Sequence, residues 1–113
     1  MSQHEDSVRL RHMLDAARKA VEFVQGLNRQ DLDKDEKLGF ALHRLLEIIG
    51  EAAKNVSPET RQRCPGIAWK EIAGTRDRLI HGYFDVDLDV VWQIVTQDLP
   101  PLVTELEKIV VSV

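Results

Sequence analysis

Apolar residues recur at three- and four-residue intervals along almost the whole chain, and β-branched alternation is scarce. That spacing admits helices and little else. A first helix is predicted from about Asp6 to Leu27, with Val8, Met13, Ala17, Val21 and Val24 as its buried stripe. Asn28 to Lys34 is a polar connection. A second helix spans about Asp35 to Asn55, where Leu38, Leu42, Leu45, Ile49, Ala52 and Val56 form a wide apolar face. Ser57-Pro58-Glu59 reads as an N-cap followed by proline at the first helical position, opening a short helix that Pro65-Gly66 ends. A third helix is predicted over about Ala68 to Tyr83. Asp87 caps a fourth, which Pro100-Pro101 must kink or restart before it reaches about Val110. Long helices with short connections imply an all-α, up-and-down bundle of four to five helices, one domain over residues 1–113. No glycine-rich phosphate loop and no sheet pattern are present, which excludes a nucleotide-binding α/β fold.

The bulk properties narrow the function classes. A chain of 113 residues supports one core, and 43% hydrophobic with 30% charged residues is ordinary for a globular protein. No apolar run approaches the roughly 20 residues of a membrane span, so no membrane association is expected. The polar segment Met1 to Arg11 argues against a signal peptide, and the single Cys64 fits a reducing cytoplasm. Cys64 reads as a small, partly buried side chain, and Trp69 and Trp92 as core anchors. His4, His12 and His43 lack the spacing of a metal site. A net charge of −4 excludes a generic, charge-driven nucleic-acid binder. Its distribution is uneven. Arg61 to His81 carries five bases and two acids, whereas Gly82 to Glu107 carries six acids and no Lys or Arg. RNA, if bound, is expected on the 61–81 side.

The densest chemistry lies in Arg76-Asp77-Arg78-Leu79-Ile80-His81-Gly82-Tyr83. On a continuous helix from Trp69, Arg76 falls in the middle of an apolar face made by Trp69, Ile72, Ala73, Leu79, Ile80 and Tyr83. A guanidinium there is costly unless it is paired or lines a polar cleft. His81 lies about 140° round from Arg76, on a flank shared with Asp77 and Lys70, and Asp77 is its i,i+4 neighbour. Such a set suits metal-free RNA cleavage. Histidine can move the protons, arginine can clamp the phosphate, and a carboxylate can hold the imidazole ring. His81 is accordingly read as general base or acid, Arg76 as the clamp and Asp77 as the holder of the ring. Arg78 and Lys70 are read as contacts to the RNA backbone.

The order R-x-x-x-x-H-x-Y resembles the motif of the HEPN superfamily, and more narrowly the HepT toxins of HEPN/minimal-nucleotidyltransferase pairs. Three further blocks are similar to that family. They are Ile48-Ile49-Gly50-Glu51-Ala52-Ala53-Lys54, Ile67 through Gly74, and Asp87 through Trp92 with Asp98-Leu99-Pro100. The resemblance implies a homodimer whose two motif helices share one composite cleft. It implies an endoribonuclease toxin of a type II/VII-like toxin–antitoxin pair, acting on transfer or messenger RNA without a cofactor and leaving a 2′,3′-cyclic phosphate. It also implies that Tyr83 accepts AMP from ATP through a cognate nucleotidyltransferase, the antitoxin. A tyrosine packing its ring at the bundle end is the plainer reading of that residue.

Opposite the apolar stripe of the second helix lie Phe40, His43, Glu47, Gly50 and Lys54. Phe40, His43, Glu47 and Gly50 read as a partner surface, for a second copy or for the antitoxin. Read plainly, they are one exposed phenylalanine and a tolerated glycine. The rival to the nuclease is a non-catalytic helical subunit that presents a nucleotide or other substrate to a nucleotidyltransferase. The acidic net charge favours that rival, and the complete Arg/Asp/His set favours the nuclease.

Overall fold

A computed structural model of the chain describes residues 3–81 and 85–111. The order of elements is α1 (Gln3–Phe23), α2 (Asp31–Lys34), α3 (Glu36–Lys54), α4 (Pro58–Arg63), α5 (Trp69–Ala73), α6 (Thr75–Leu79), β1 (Ile80–His81), β2 (Asp85–Val86), α7 (Leu88–Gln93), a π-helical turn (Ile94–Asp98) and α8 (Leu99–Val111). The fold is all-α, as expected, save for the two-residue antiparallel pair that joins Ile80 to Val86 and His81 to Asp85.

Local chemistry sets the helix starts. Asp35 accepts a hydrogen bond from the Leu38 amide, Ser57 from the Thr60 amide, and Asp87 from the amides of Asp89 and Val90. Each satisfies an amide that the first helical turn would leave bare. Pro58 stands at the first position of α4. Helix α1 stops at Phe23, short of the expected Leu27, in a turn where Gly26 takes a φ of 77°. That left-handed conformation is one glycine adopts without strain. Pro100 and Pro101 do not break the last helix. Pro100 has no N–H for the Thr96 carbonyl, and its ring would strike that oxygen in a regular α-turn. The helix widens instead, and the Leu99 amide reaches back to the Ile94 carbonyl.

Helix α1 packs along both α3 and α8, and α3 also carries α5 and α6 on its flank. The core between them includes Met13, Leu14, Ala17, Leu42, Leu46, Ile49, Leu79, Val91, Val95 and Leu106, all essentially without solvent contact. Met13, Ala17, Val24, Leu42, Ile49 and Val56 are buried as expected, whereas Val8 is 40% exposed. Leu10 and Leu14 take the inward positions instead, because α1 is clasped from two sides and its buried face is wider than one stripe. Leu38, Leu45 and Ala52 pack at the core's edge, as do Trp92 and Cys64, while Trp69 is buried. The Trp69 indole N–H donates to the Cys64 carbonyl at 3.0 Å, and burial pushes the Cys64 thiol pKa up.

A buried acid pins the start of α1 to the start of α4. Asp6 is 4% exposed. It accepts from the Ser57 amide at 3.0 Å, the Ser57 hydroxyl at 2.5 Å and the Thr60 hydroxyl at 2.6 Å. Burial alone would raise its pKa. The hydrogen bonds, with Arg9 at 4.0 Å, outweigh burial and hold the carboxyl below its ordinary value. Its contribution to stability is therefore present above the ordinary carboxylate range and is lost as pH falls through the lowered pKa. Asp6→Ala should destabilise the fold by about 2–3 kcal/mol at neutral pH. The deficit should shrink in acid, and thermal unfolding of both proteins from pH 7 to pH 3 would measure it. A constant deficit would contradict the charged state assigned to Asp6.

Candidate active site

The motif does not lie on one helix. Gly74 ends α5, the chain turns, and α6 begins at Thr75 and closes at Leu79. The inward residues of α6 are Thr75 and Leu79, both buried. They are i,i+4 neighbours, so the three residues between them must face out. Arg76, Asp77 and Arg78 are all exposed. This corrects the expectation that Arg76 sits within an apolar face: the break at Gly74 resets the helical phase. The proposed i,i+4 relation of Asp77 to His81 fails for a related reason. His81 lies two residues beyond the helix, in β1, with its backbone paired to Asp85. The His81 side chain and all of Tyr83 lie outside the described residues.

Gly50 brings the motif to α3. A Cβ on Gly50 would stand 3.3 Å from the Ile72 carbonyl oxygen and 3.8 Å from both the Ala73 carbonyl oxygen and the Thr75 Cβ. The residue is buried, so the α5–α6 junction rests on bare backbone there. Gly50 thus belongs to an internal contact and not to the expected partner surface. Of the other residues read that way, Phe40 is 66% exposed. His43 is half-buried, with its Nδ1 3.9 Å from a Glu47 oxygen. Among the described residues the buried His43 Nε2 has no hydrogen-bond partner.

Arg76 and Asp77 open onto a cleft of about 980 Å3. Its floor is the outer edge of α3, where Arg44, Glu47, Ile48, Glu51, Lys54 and Asn55 follow one another at helical spacing. Arg9 and His12 of α1 form one wall, and residues 73–77 form the other. Arg76 has no hydrogen-bond or ion-pair partner among the described residues. Arg78 turns elsewhere. It pairs with Asp98 of the π-turn at 3.4 Å and borders a separate, largely apolar cavity of about 450 Å3. Lys70 is exposed and borders neither. The structure thus brings Arg76 and Asp77 together with Glu47, and adds Arg9, His12, Arg44 and Lys54, which the motif does not point to. The stripe along α3 is visible in the spacing, but nothing local ties Arg9 and His12 to residue 76. Among the described residues no group of His, Cys, Asp and Glu is placed to hold a metal ion. No helix among them is long and apolar enough to cross a membrane.

With this geometry in place, comparison with known proteins identifies the class. The model of the family described as Ribonuclease HepT-like matches residues 13–109. The chain is 41% identical over 100 residues to a Caldanaerobacter subterraneus protein named as a candidate RNase, covering 88% of this chain and 89% of that one. It is 43% identical over 94 residues to a Thermococcus cleftensis protein named as a probable ribonuclease HepT, covering 80% and 86%. A Methanocaldococcus jannaschii protein, also named as a candidate RNase, is 34% identical over 107 residues, covering 95% and 98%. No solved structure matches significantly. The chain belongs to the HepT-like ribonuclease family.

Gly50→Leu tests the internal contact. A leucine there must push the α5–α6 junction off α3, at a cost of about 1–3 kcal/mol. The expected result is a lower melting temperature with an unchanged oligomeric size. A smaller oligomer of undiminished protomer stability would return Gly50 to an intermolecular surface.

Proposed function

We propose that this protein is an endoribonuclease toxin that cleaves RNA by attack of the substrate's own 2′-hydroxyl, without a metal ion. The observation that carries the reading is the presentation of Arg76, exposed at the lip of an open cleft in a chain of the HepT-like ribonuclease family. Residues Thr75 and Leu79 anchor α6, so the guanidinium projects without packing obligations of its own. Arginine stays charged at every relevant pH and binds two phosphate oxygens at once.

In the proposed reaction a base removes the 2′-hydroxyl proton, and O2′ bonds to phosphorus. The P–O5′ bond breaks, and an acid returns a proton to O5′. The products are a 2′,3′-cyclic phosphate and a free 5′-hydroxyl. His81 is the proton-transfer group, because an unperturbed imidazole titrates at about 6.5 and can move a proton in either direction near neutrality. Arg76 neutralises the charge that builds on the phosphorane oxygens. Asp77 stands on the same wall as Arg76, and its part is to steer the imidazole or a bound water. One chain supplies a single Arg76 and a single His81, whereas acid and base are both needed. A homodimer meeting along the motif would pool two of each, as in the composite site the family resemblance implies.

Control is proposed to come from a cognate nucleotidyltransferase antitoxin. The Tyr83 phenol attacks the α-phosphorus of ATP, the tyrosyl oxygen bonds to AMP, and pyrophosphate leaves. AMP two residues from His81 would add bulk and negative charge where RNA phosphate must sit. Three carboxylates in the cleft (Glu47, Glu51 and Asp77) and the net charge of −4 favour the second reading, a substrate-presenting subunit of that nucleotidyltransferase.

Two experiments test the nuclease reading and the role of Tyr83. Wild type should cut a long transcript or total transfer RNA in EDTA, and His81→Ala should not. A folded, unmodified wild type that cuts no RNA would leave the presenting subunit. Incubation with ATP and the partner enzyme should add AMP mass to wild type and none to Tyr83→Phe, and equal labelling of both proteins would remove Tyr83 from the scheme.

A further inference from the structure

The cleft continues well past Arg76. Its floor on α3 presents Arg44 at one end and Lys54 at the other, and Arg9 and His12 of α1 face Arg76 across it. Lys54 and Asn55 also border a second depression of about 730 Å3, which Arg63 lines as well. The basic residues along this path come from four elements, α1, α3, α4 and α6. Arg44, Lys54 and His12 are exposed, and Arg9 is half-buried beside Asp6. The axes of the two wall helices are separated by a third helix, on the order of 16–20 Å at ordinary interhelical spacing. A single strand lying along the groove can meet basic residues on the floor and on both walls. Glu47 and Glu51 also line the floor. Glu47 lies 3.9 Å from both Arg44 and His43, and Glu51 accepts from the Asn55 amide at 3.4 Å.

Resting on the nuclease reading above, we propose that this groove is the track of the single-stranded substrate. Arg44 and Lys54 hold phosphates on either side of the one clamped by Arg76, and Arg9 and His12 steer the strand along the far wall. These are positioning residues, distant from the bond that breaks. The single-strand assignment rests on the spaced basic residues along one helix edge, which can meet a lone backbone phosphate by phosphate. The spaced carboxylates fit this as well, because they repel a strand that lies out of register and leave the cations as discrete phosphate contacts.

The test is binding and cleavage by Arg44→Gln/Lys54→Gln beside wild type. Both residues are exposed, so the fold should survive, and Lys19→Gln/Lys108→Gln serves as a control of equal charge change. The binding probe is a fluorescein-labelled, mixed-sequence DNA 15-mer, which has no 2′-hydroxyl to be cut, titrated from 50 to 200 mM salt. The slope of log affinity against log salt should fall by about 0.7 for each phosphate that the variant leaves unneutralised, hence by about 1.4 in the groove variant and not in the control. For RNA cleavage the groove variant should raise KM and keep kcat. An unchanged slope, an equal drop in the control, or a wild type that does not bind the probe would each overturn the track. Cleavage by wild type in EDTA reports on the nuclease reading alone. If wild type cuts RNA while the groove variant keeps its slope, only the track falls. If wild type cuts nothing but the slope drops as expected, the groove stands as a binding site and the nuclease reading falls.

Discussion

At Gly50 a helix has no side chain, and a carbonyl from another segment packs close against the bare backbone. That contact sets the distance between α3 and the α5–α6 junction, with the Ile72 oxygen only 3.3 Å from where a Cβ would be. Thr75 and Leu79 then fix the rotation of α6, and rotation decides that Arg76 faces solvent. Glycine within a helix forfeits about 1 kcal/mol relative to alanine. Here that cost secures a close approach that no other residue allows without a shift of the backbone. The Asp6 cluster does related work at the far end of the groove. It locks α1 to the turn after α3, and so holds Arg9 and His12 opposite the motif.

Much of the fold was legible in the sequence because its determinants are local. The caps at Ser57 and Asp87, proline at position 58 and the apolar stripe of α3 each follow from a few adjacent residues. The failures are equally physical. A helix from Ala68 to Tyr83 fits the periodicity, but one glycine at 74 divides it, and a wheel drawn across the break puts Arg76 on the wrong face. Val8 fits a stripe that the two-sided packing of α1 displaces by a few residues. Asp6 was invisible, since a carboxylate near the start of a helix reads as a solvated charge until Ser57 and Thr60 close on it. The cleft showed the same division. Arg76 and Asp77 were found from the motif, and the α3 edge could have been found from spacing. Arg9 and His12 join them only through tertiary packing.

Charge gives a consistent picture at both scales. The chain is acidic, so long-range attraction for RNA is weak, and affinity must come from a few placed contacts. The cleft carries four permanent cations and three carboxylates, a mixture that recognises spacing more than charge density. Arg78, though adjacent to the key arginine, is held on another side by Asp98. Position on a five-residue helix thus separates a residue available to substrate from one tied to the scaffold.

The measurement closest to the centre of this account is RNA cleavage in EDTA by Arg76→Ala, with its fold checked by thermal unfolding. Arg76 lacks a partner among the described residues, so its removal should leave the melting temperature unchanged. With Arg76 as the proposed phosphate clamp, its loss should lower kcat by about 100- to 1,000-fold. A well-folded Arg76→Ala protein that cuts RNA at the wild-type rate would contradict the account.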